Sequence, residues 1–440
     1  MFRKGAERTM STAAAAKSAP SKKVVFIDGA RVPFNLASTT YKDKISYDLA
    51  RIAAKGVVDR TAIDKNAIDY VAWGTVVQEV RTNNLAREVT LGAGLPLGIP
   101  SHTIGQACIS SNQAVCTGAE KILAGQADVV LAGGSETFSD VPIRFSKPVR
   151  ERLINANKAM KKGPAGILKL LKGLKLSDLA PEPPAIKNFS TGEVMGHSSD
   201  RLASRFAVSR QDQDEFALRS HQNAAKAHEA GYYKNEVLNV GGSTEENCIR
   251  GDTTMERLQK LKPAFVKPHG THTAGNSSPL TDGASACIIM GDDKAKELGF
   301  TPRSHIKSWN FVSVDPFEEM LLGPAYAMAR ILKANNLTLN DIDVFEIHEA
   351  FAGQVLSNLA ALESDAWCKE NINMDKVGAV PFDKLNQWGG SLSIGHPFGA
   401  TGVRILTTAT NRLHQEDKKY ALIAACADGG QAHACLIERM

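Results

Sequence analysis

The chain has no apolar run approaching the ~20 residues that a membrane-crossing helix needs, so no helical span is expected. It has no CxxC pair. Its seven cysteines (Cys108, Cys116, Cys248, Cys287, Cys368, Cys426 and Cys435) are scattered and odd in number. That argues against a structural zinc site and a secreted disulfide framework, and fits a reducing compartment. A Walker P-loop, a GxGxxG after the first strand and an HExxH are all absent, and the His and Cys residues lack metal-ligand spacing. No metal and no nucleotide redox cofactor is therefore implied. Acidic residues are scarce in two places. Residues 1–23 hold six Lys/Arg and one acid, and residues 144–176 hold ten and one. Because the whole chain carries only +5, the remainder is net negative by nine charges. This is an acidic body with two basic segments, not a uniformly basic nucleic-acid binder. Phe145 is the single aromatic in residues 144–176, so bases would find no stacking platform there.

What is present is ordinary for a globular protein: 440 residues, 43% hydrophobic and 22% charged, enough for two or three domains or one duplicated domain. Residues 1–22 are rich in Ala, Ser and basic residues, a composition that suits a mitochondrial transit peptide; a disordered tail is the alternative. Strands are predicted at Lys23–Ile27, Ile68–Thr75 and in DVVLAGG, with a helix in SYDLARIAAKGVVDR. The segment ACISSNQAVCTGAEKILAG predicts a helix rich in small residues, suited to the middle of a domain. The C-terminal part repeats the plan: strand SHIKSWNFVS, helix GPAYAMARILKANNL, strand DVFEIHEA, loop-helix GHPFGATGVRILTTATNRLHQ and strand YALIAAC. We read a duplicated βαβαβ unit, with two parallel-sheet layers and helices between and outside them. The domain plan is an N-terminal half over 23–143, an inserted loop domain over 144–265, the end of the first half over 266–300, and a C-terminal half over 301–440.

Four places can carry chemistry. Cys108 precedes the small-residue helix, where unpaired N–H groups favour thiolate and can bind an oxyanion; a buried structural cysteine is the competing interpretation. The loop SLSIGHPFGATG packs three glycines and a proline around His396, and the duplication puts it where Cys108 lies in the first half. A Cys–His pair so placed suits nucleophilic catalysis. Cys426–Gly430 (CADGG) and His348–Phe351 (HEAF) follow strands, where ligand crevices form in parallel sheets. The stretch 271–285 reads as a long, mostly polar loop.

These blocks resemble the thiolase family over the whole span from about Lys23 to Met440: ACISSNQAV, SRQDQDEFALRSHQNAA, TAGNSSPLTDGA, HEAF, GHPFGATG and CADGG occur in order. The resemblance implies two βαβαβαββ halves layered α-β-α-β-α, with an inserted loop domain. It implies thiolytic cleavage of a 3-ketoacyl-CoA, with coenzyme A as co-substrate and no resident cofactor. Cys108 is then the nucleophile, His396 polarises its thiol, Cys426 is the acid/base, and His348 helps hold the thioester oxygen. The N–H groups of Cys108 and Asp428 serve an oxyanion. Ser278, Ala274, Gly275, Phe351 and Met195 line the coenzyme A and substrate path. His348 stands where the family usually has Asn, and Asp428 where many members have Gly, so the Asp428 carboxylate must point away from the oxyanion.

HEAF and the basic insertion resemble the branch that serves as the thiolase subunit of a mitochondrial β-oxidation complex. That implies a homodimer core, a hydratase/dehydrogenase α subunit as partner and the matrix side of the inner membrane. Gly163–Pro164 should divide residues 144–176 into two short helices. In the second, Ile167, Leu170, Leu171 and Leu174 form an apolar stripe. Lys158, Lys161, Lys162, Lys169, Lys172 and Lys175 are candidates for an anionic membrane surface or a partner. A lid over the acyl chain is the bland alternative. Enzymes that condense acetyl-CoA to acetoacetyl-CoA share this chemistry, and a non-catalytic carrier is the third reading.

Overall fold

The computed structural model describes residues 22–440. Residues 1–21 of the segment read as a transit peptide lie outside the described residues, as do the side chains of Ile167, Lys169 and Leu171. Ten strands are described: β1 (Val24–Arg31), β2 (Asn35–Leu36), β3 (Tyr70–Gly74), β4 (Ser101–Ile104), β5 (Val129–Glu136), β6 (Thr281–Gly291), β7 (Ser304–Ser313), β8 (Val344–Ile347), β9 (Tyr420–Ala427) and β10 (Gln431–Arg439).

The hydrogen-bonded order is β4-β3-β5-β6-β1-β7-β10-β9-β8, with β2 on β6. The order is mirrored about the β1–β7 seam, which is only Val25↔His305 and Phe26↔Ser304 long. β1, β3, β5 and β6 of one half correspond to β7, β8, β9 and β10 of the other. The counterpart of β4 shrinks to one parallel bridge, Phe345↔Leu385. The expectation of parallel sheets is corrected: only β3–β4, β3–β5 and β8–β9 run parallel. The last strand of each half returns as a hairpin or after the insertion, and pairs antiparallel on both sides.

Three apolar cores separate five layers. One lies under the outer helices of the first half, where Leu49, Ala53 and Val57 of Ser46–Thr61 meet Val71, Leu131 and Ile288. Another lies under the outer helices Gly323–Asn335 and Ala352–Glu363 of the second half. Between the two halves of the sheet, Ala114, Ala119 and Ile122 of Ser110–Leu123 pack with Val403, Leu406 and Ala409 of Thr401–Gln415. Small residues are required in this middle layer. A Cβ on Gly118 would sit 2.8 Å from Val130, and one on Gly402 would sit 2.2 Å from Asn112 Oδ1. The two central helices thus touch at their N-terminal ends, which brings the Cys108 and His396 loops to one place.

Between β5 and β6 the chain makes a long excursion. It is tied to β1 by buried Arg31, which pairs with Glu236 at 2.9 Å and with Glu246. Its long helix, Arg210–Glu229, is capped by Ser209, whose hydroxyl accepts the Asp212 N–H. The basic segment forms helices Lys147–Met160 and Pro164–Leu171, parted at Gly163. The second helix is shorter than expected. Gly173 adopts a left-handed φ of 72°, so Lys172, Leu174 and Lys175 lie beyond its end. The loop read over 271–285 is also corrected: its last residues belong to β6, which begins at Thr281. No helix among the described residues is long and apolar enough to cross a membrane.

Candidate active site

Cys108 lies two residues before the first turn of Ser110–Leu123. The preceding Ala107 has φ 45°, a left-handed conformation that costs a non-glycine residue on the order of 1 kcal/mol. Ser110 Oγ holds the bend by donating to the Ala107 carbonyl at 2.7 Å and accepting the Gln106 N–H at 2.8 Å. Gln106 Nε2 donates to Gln431 Oε1 at 2.9 Å, clamping the loop to the other half. The expectation of a lowered thiol pKa is corrected. Burial, with the Asp428 carboxylate adding to it, pushes the Cys108 thiol up to about 12, although the Asp428 N–H favours the thiolate. Desolvation outweighs the helix end.

His396 is held from three sides. Its N–H donates to Thr281 Oγ1 at 2.7 Å, and its Nδ1 is 2.6 Å from Thr401 Oγ1. Gly395 before it has φ 104°, and a Cβ there would press on Thr281 at 2.6 Å. The Thr401 hydroxyl donates to the Pro397 carbonyl at 3.0 Å, so it can only accept from His396. Nδ1 therefore carries the proton and Nε2 is the free lone pair, as a base requires.

His348 is placed differently. Arg404 Nη2 donates to Ser391 Oγ at 3.0 Å, and the same hydroxyl lies 2.9 Å from His348 Nδ1. A Ser391 hydroxyl that donates to Nδ1 leaves the hydrogen on Nε2. The two rings lie 4.1 Å apart, and both Nε2 atoms are buried without a hydrogen-bond partner among the described residues. Burial and the Arg404 charge press the His348 pKa down to about 3; burial, His348 and Arg404 press His396 well below its ordinary value. Both are neutral at pH 7.

Cys426 ends β9, buried, its thiol raised chiefly by burial and next by Cys108. Asp428 begins the turn into β10, and Gly429 and Gly430 take left-handed φ values of 81° and 73°. Its carboxylate accepts from Asn188 Nδ2 of the insertion at 2.7 Å. The site thus gathers Cys108, His396, His348, Cys426 and the Asp428 N–H. Beside it, the Ser278 N–H donates to the Ala350 carbonyl at 3.0 Å, joining the 273–279 loop to HEAF. Half-buried Phe351 stands edge-on to Phe265 at 5.6 Å, and Gly196, next to Met195, lies against Phe265. Gly275 is half-buried against Leu258 and Leu261, and Ala274 is exposed. The exposed lysines Lys158, Lys161, Lys162, Lys172 and Lys175 sit apart on the basic hairpin; the Lys169 side chain lies outside the described residues.

Sequence reasoning missed the residues that hold the site. Buried Glu136 accepts the N–H groups of Val76, Val77 and Gly399, tying the chain after β3 to the His396 loop. Burial raises its pKa to about 8. Buried Glu349 accepts from Ser220, Asn386 and the Leu392 N–H. Thr401 follows His396 by five residues in the same motif, a signal that was available. Ser391, Arg404 and Asn188 gave none.

A cysteine at a helix entrance, two adjacent buried histidines, a second buried cysteine and the Asp428 turn, on a duplicated α/β frame, fit one class of enzyme. The chain belongs to the thiolase family of acyltransferases: residues 24–293 match the thiolase N-terminal domain and residues 300–439 the thiolase C-terminal domain. Among individual relatives, it is 51% identical over 423 residues to human trifunctional enzyme subunit beta, mitochondrial, covering 95% of this chain and 88% of that one. The bovine protein of the same name is 50% identical over 441 residues, covering 97% and 92%. Human mitochondrial 3-ketoacyl-CoA thiolase in complex with CoA superposes with a TM-score of 0.80 at 30% identity, covering 95% of this chain and 98% of that one. Bacillus anthracis acetyl-CoA acetyltransferase superposes with a TM-score of 0.80 at 29% identity, covering 96% and 99%.

Proposed function

We propose that the protein is a 3-ketoacyl-CoA thiolase of fatty-acid β-oxidation, cleaving long-chain substrates with coenzyme A to acetyl-CoA and a shortened acyl-CoA. The observation that carries this reading is the pair of adjacent buried histidines, their rings 4.1 Å apart and both Nε2 atoms without a hydrogen-bond partner among the described residues. His396 Nε2 takes the Cys108 proton as sulfur attacks C3 of the substrate. The oxyanion is met by backbone N–H groups, that of Asp428 among them. Collapse breaks the C2–C3 bond and sends its electron pair into the enolate of acetyl-CoA. His348 Nε2–H and the newly protonated His396 Nε2–H donate to the enolate oxygen. The Cys426 thiol protonates C2. The Cys426 thiolate then takes the proton of incoming coenzyme A, whose sulfur attacks the acyl group on Cys108. Departing Cys108 thiolate recovers its proton from His396, and every group returns to its starting state. Coenzyme A acts as co-substrate, and no resident cofactor enters. Ser278, Ala274, Gly275, Phe351 and Met195 line its path.

The protein works in mitochondria, on the matrix side of the inner membrane, as a homodimer core joined to a hydratase/dehydrogenase α subunit. The relatives named above support this, and so does the basic hairpin. Leu153, Ile154, Met160, Leu168 and Leu176 are exposed there, Leu176 at 85%. Lys158, Lys161, Lys162, Lys172 and Lys175 have no carboxylate partner among the described residues. Each such cation near an anionic bilayer contributes ~1 kcal/mol. The deciding experiment is turnover of 3-ketopalmitoyl-CoA plus coenzyme A beside acetoacetyl-CoA. Preference for the long chain is expected. Preference for acetoacetyl-CoA would assign the acetyltransferase reaction, and no turnover of either would leave a carrier.

A further inference from the structure

Asp428 presents a problem for a thiolase site. Its N–H faces the Cys108 sulfur, yet the same residue carries a carboxylate that raises the Cys108 thiol. A rotation of one side-chain bond would carry that charge toward the place where a tetrahedral oxyanion forms. In the structure the carboxylate is turned outward onto Asn188 Nδ2, at 2.7 Å.

Asn188 is built to give that one hydrogen bond. It is 8% exposed. Its Oδ1 accepts the Ser190 and Thr191 N–H groups at 3.0 and 2.9 Å, which fixes the end of the amide that faces Asp428. Its own N–H donates to the Glu193 carbonyl at 2.8 Å, and its carbonyl accepts from Gly192 at 2.9 Å. The donor is therefore held by a closed turn before any substrate arrives. The turn continues through Val194 into Met195 and its helix, so it belongs to the insertion and not to either catalytic half.

We propose that Asn188 is a positioning residue for thiolysis: it holds the Asp428 carboxylate away from the Cys108 sulfur, so that only the Asp428 N–H faces the reacting atoms. The proposal rests on Cys108 being the nucleophile. Its physical content is electrostatic. A like charge brought within a few ångströms of a titrating group shifts its pKa by about one unit or more. The same charge would oppose the developing oxyanion and lower kcat, while leaving the remote contacts that set KM.

The test is a double-mutant cycle in the full chain, read by kcat, KM and the rate of Cys108 alkylation by iodoacetamide at pH 8. In wild type, one label on Cys108 should abolish turnover; a labelled, active enzyme would sink the nucleophile reading itself, whatever Asn188 does. Asn188→Ala should lower kcat about tenfold or more and slow alkylation about tenfold, with KM within about twofold. In an Asp428→Ala background, which has no carboxylate to restrain, the same Asn188→Ala change should cost less than about twofold in either readout. Equal losses in both backgrounds would mean that Asn188 merely holds its turn, and would overturn the proposal. An Asn188→Ala enzyme matching wild type would do the same.

Discussion

The two loops that enter the central helices occupy equivalent positions in the duplicated halves, yet they are built in opposite ways. The Cys108 loop is bent at a non-glycine residue, Ala107, and its sulfur is left without a fixed side-chain partner. The His396 loop uses glycine where the backbone is crowded and secures its imidazole through Thr281 and Thr401. In the proposed mechanism the Cys108 sulfur passes through a tetrahedral intermediate twice in each cycle, whereas His396 keeps one tautomer and one orientation. One ancestral junction has been shaped once for a mobile atom and once for an immobile one.

Breaking either side of this pair should separate the roles. Cys108→Ala should lower turnover by at least about 10³-fold while leaving the thermal midpoint within a few degrees, because alanine keeps most of the small apolar contact that Cys108 makes with the central core. His396→Ala should lower kcat by about 10²–10⁴-fold, measured with saturating substrate. If the immobility of the base matters, Thr401→Val, which frees the Nδ1 proton, should cost about tenfold in kcat with little change in KM. His348→Asn should keep a hydrogen-bond donor and cost less than Thr401→Val. Its clearer effect is on acid stability. The folded His348 titrates near 3 and His221 near 4, whereas an unfolded imidazole takes its proton near 6.5. Folding is therefore unaffected by these groups above pH 7, and stability is lost as the pH falls through 6.5 toward 4. The fall in thermal midpoint between pH 7 and 5 should be shallower in His348→Asn. The smallest effect on chemistry should come from the hairpin: Lys158, Lys161, Lys162 and Lys172 changed together to Glu should leave turnover within about twofold and abolish low-salt flotation with cardiolipin liposomes.

Much of this frame is legible in the sequence because it depends on local signals. The small-residue helix at Ala114–Ala119, the strand at Ser304–Ser313 and the glycines around His396 announce themselves. Sheet direction does not, because antiparallel returns such as β6 arrive after a long excursion and read locally as loop. The thiol pKa was misjudged for a related reason: the helix end is visible from sequence, but the burial that outweighs it is a property of the assembled halves. Glu136 and Asn188 were unreadable because their partners lie far away in the chain, 240 positions for Asn188 and Asp428, and Ser391 and Arg404 because only the fold turns them toward His348.

The raised thiol at Cys108 also bears on survival between turnovers. Peroxide and other electrophiles react with thiolate, climbing from sulfenic to irreversible sulfinic and sulfonic acids. A sulfur whose pKa burial pushes up to about 12 exposes little of that form at neutral pH. Deprotonation is deferred until His396 can take the proton during attack on bound substrate. The enzyme gives up a permanently ionised nucleophile and gains a cysteine that can wait between turnovers without being consumed.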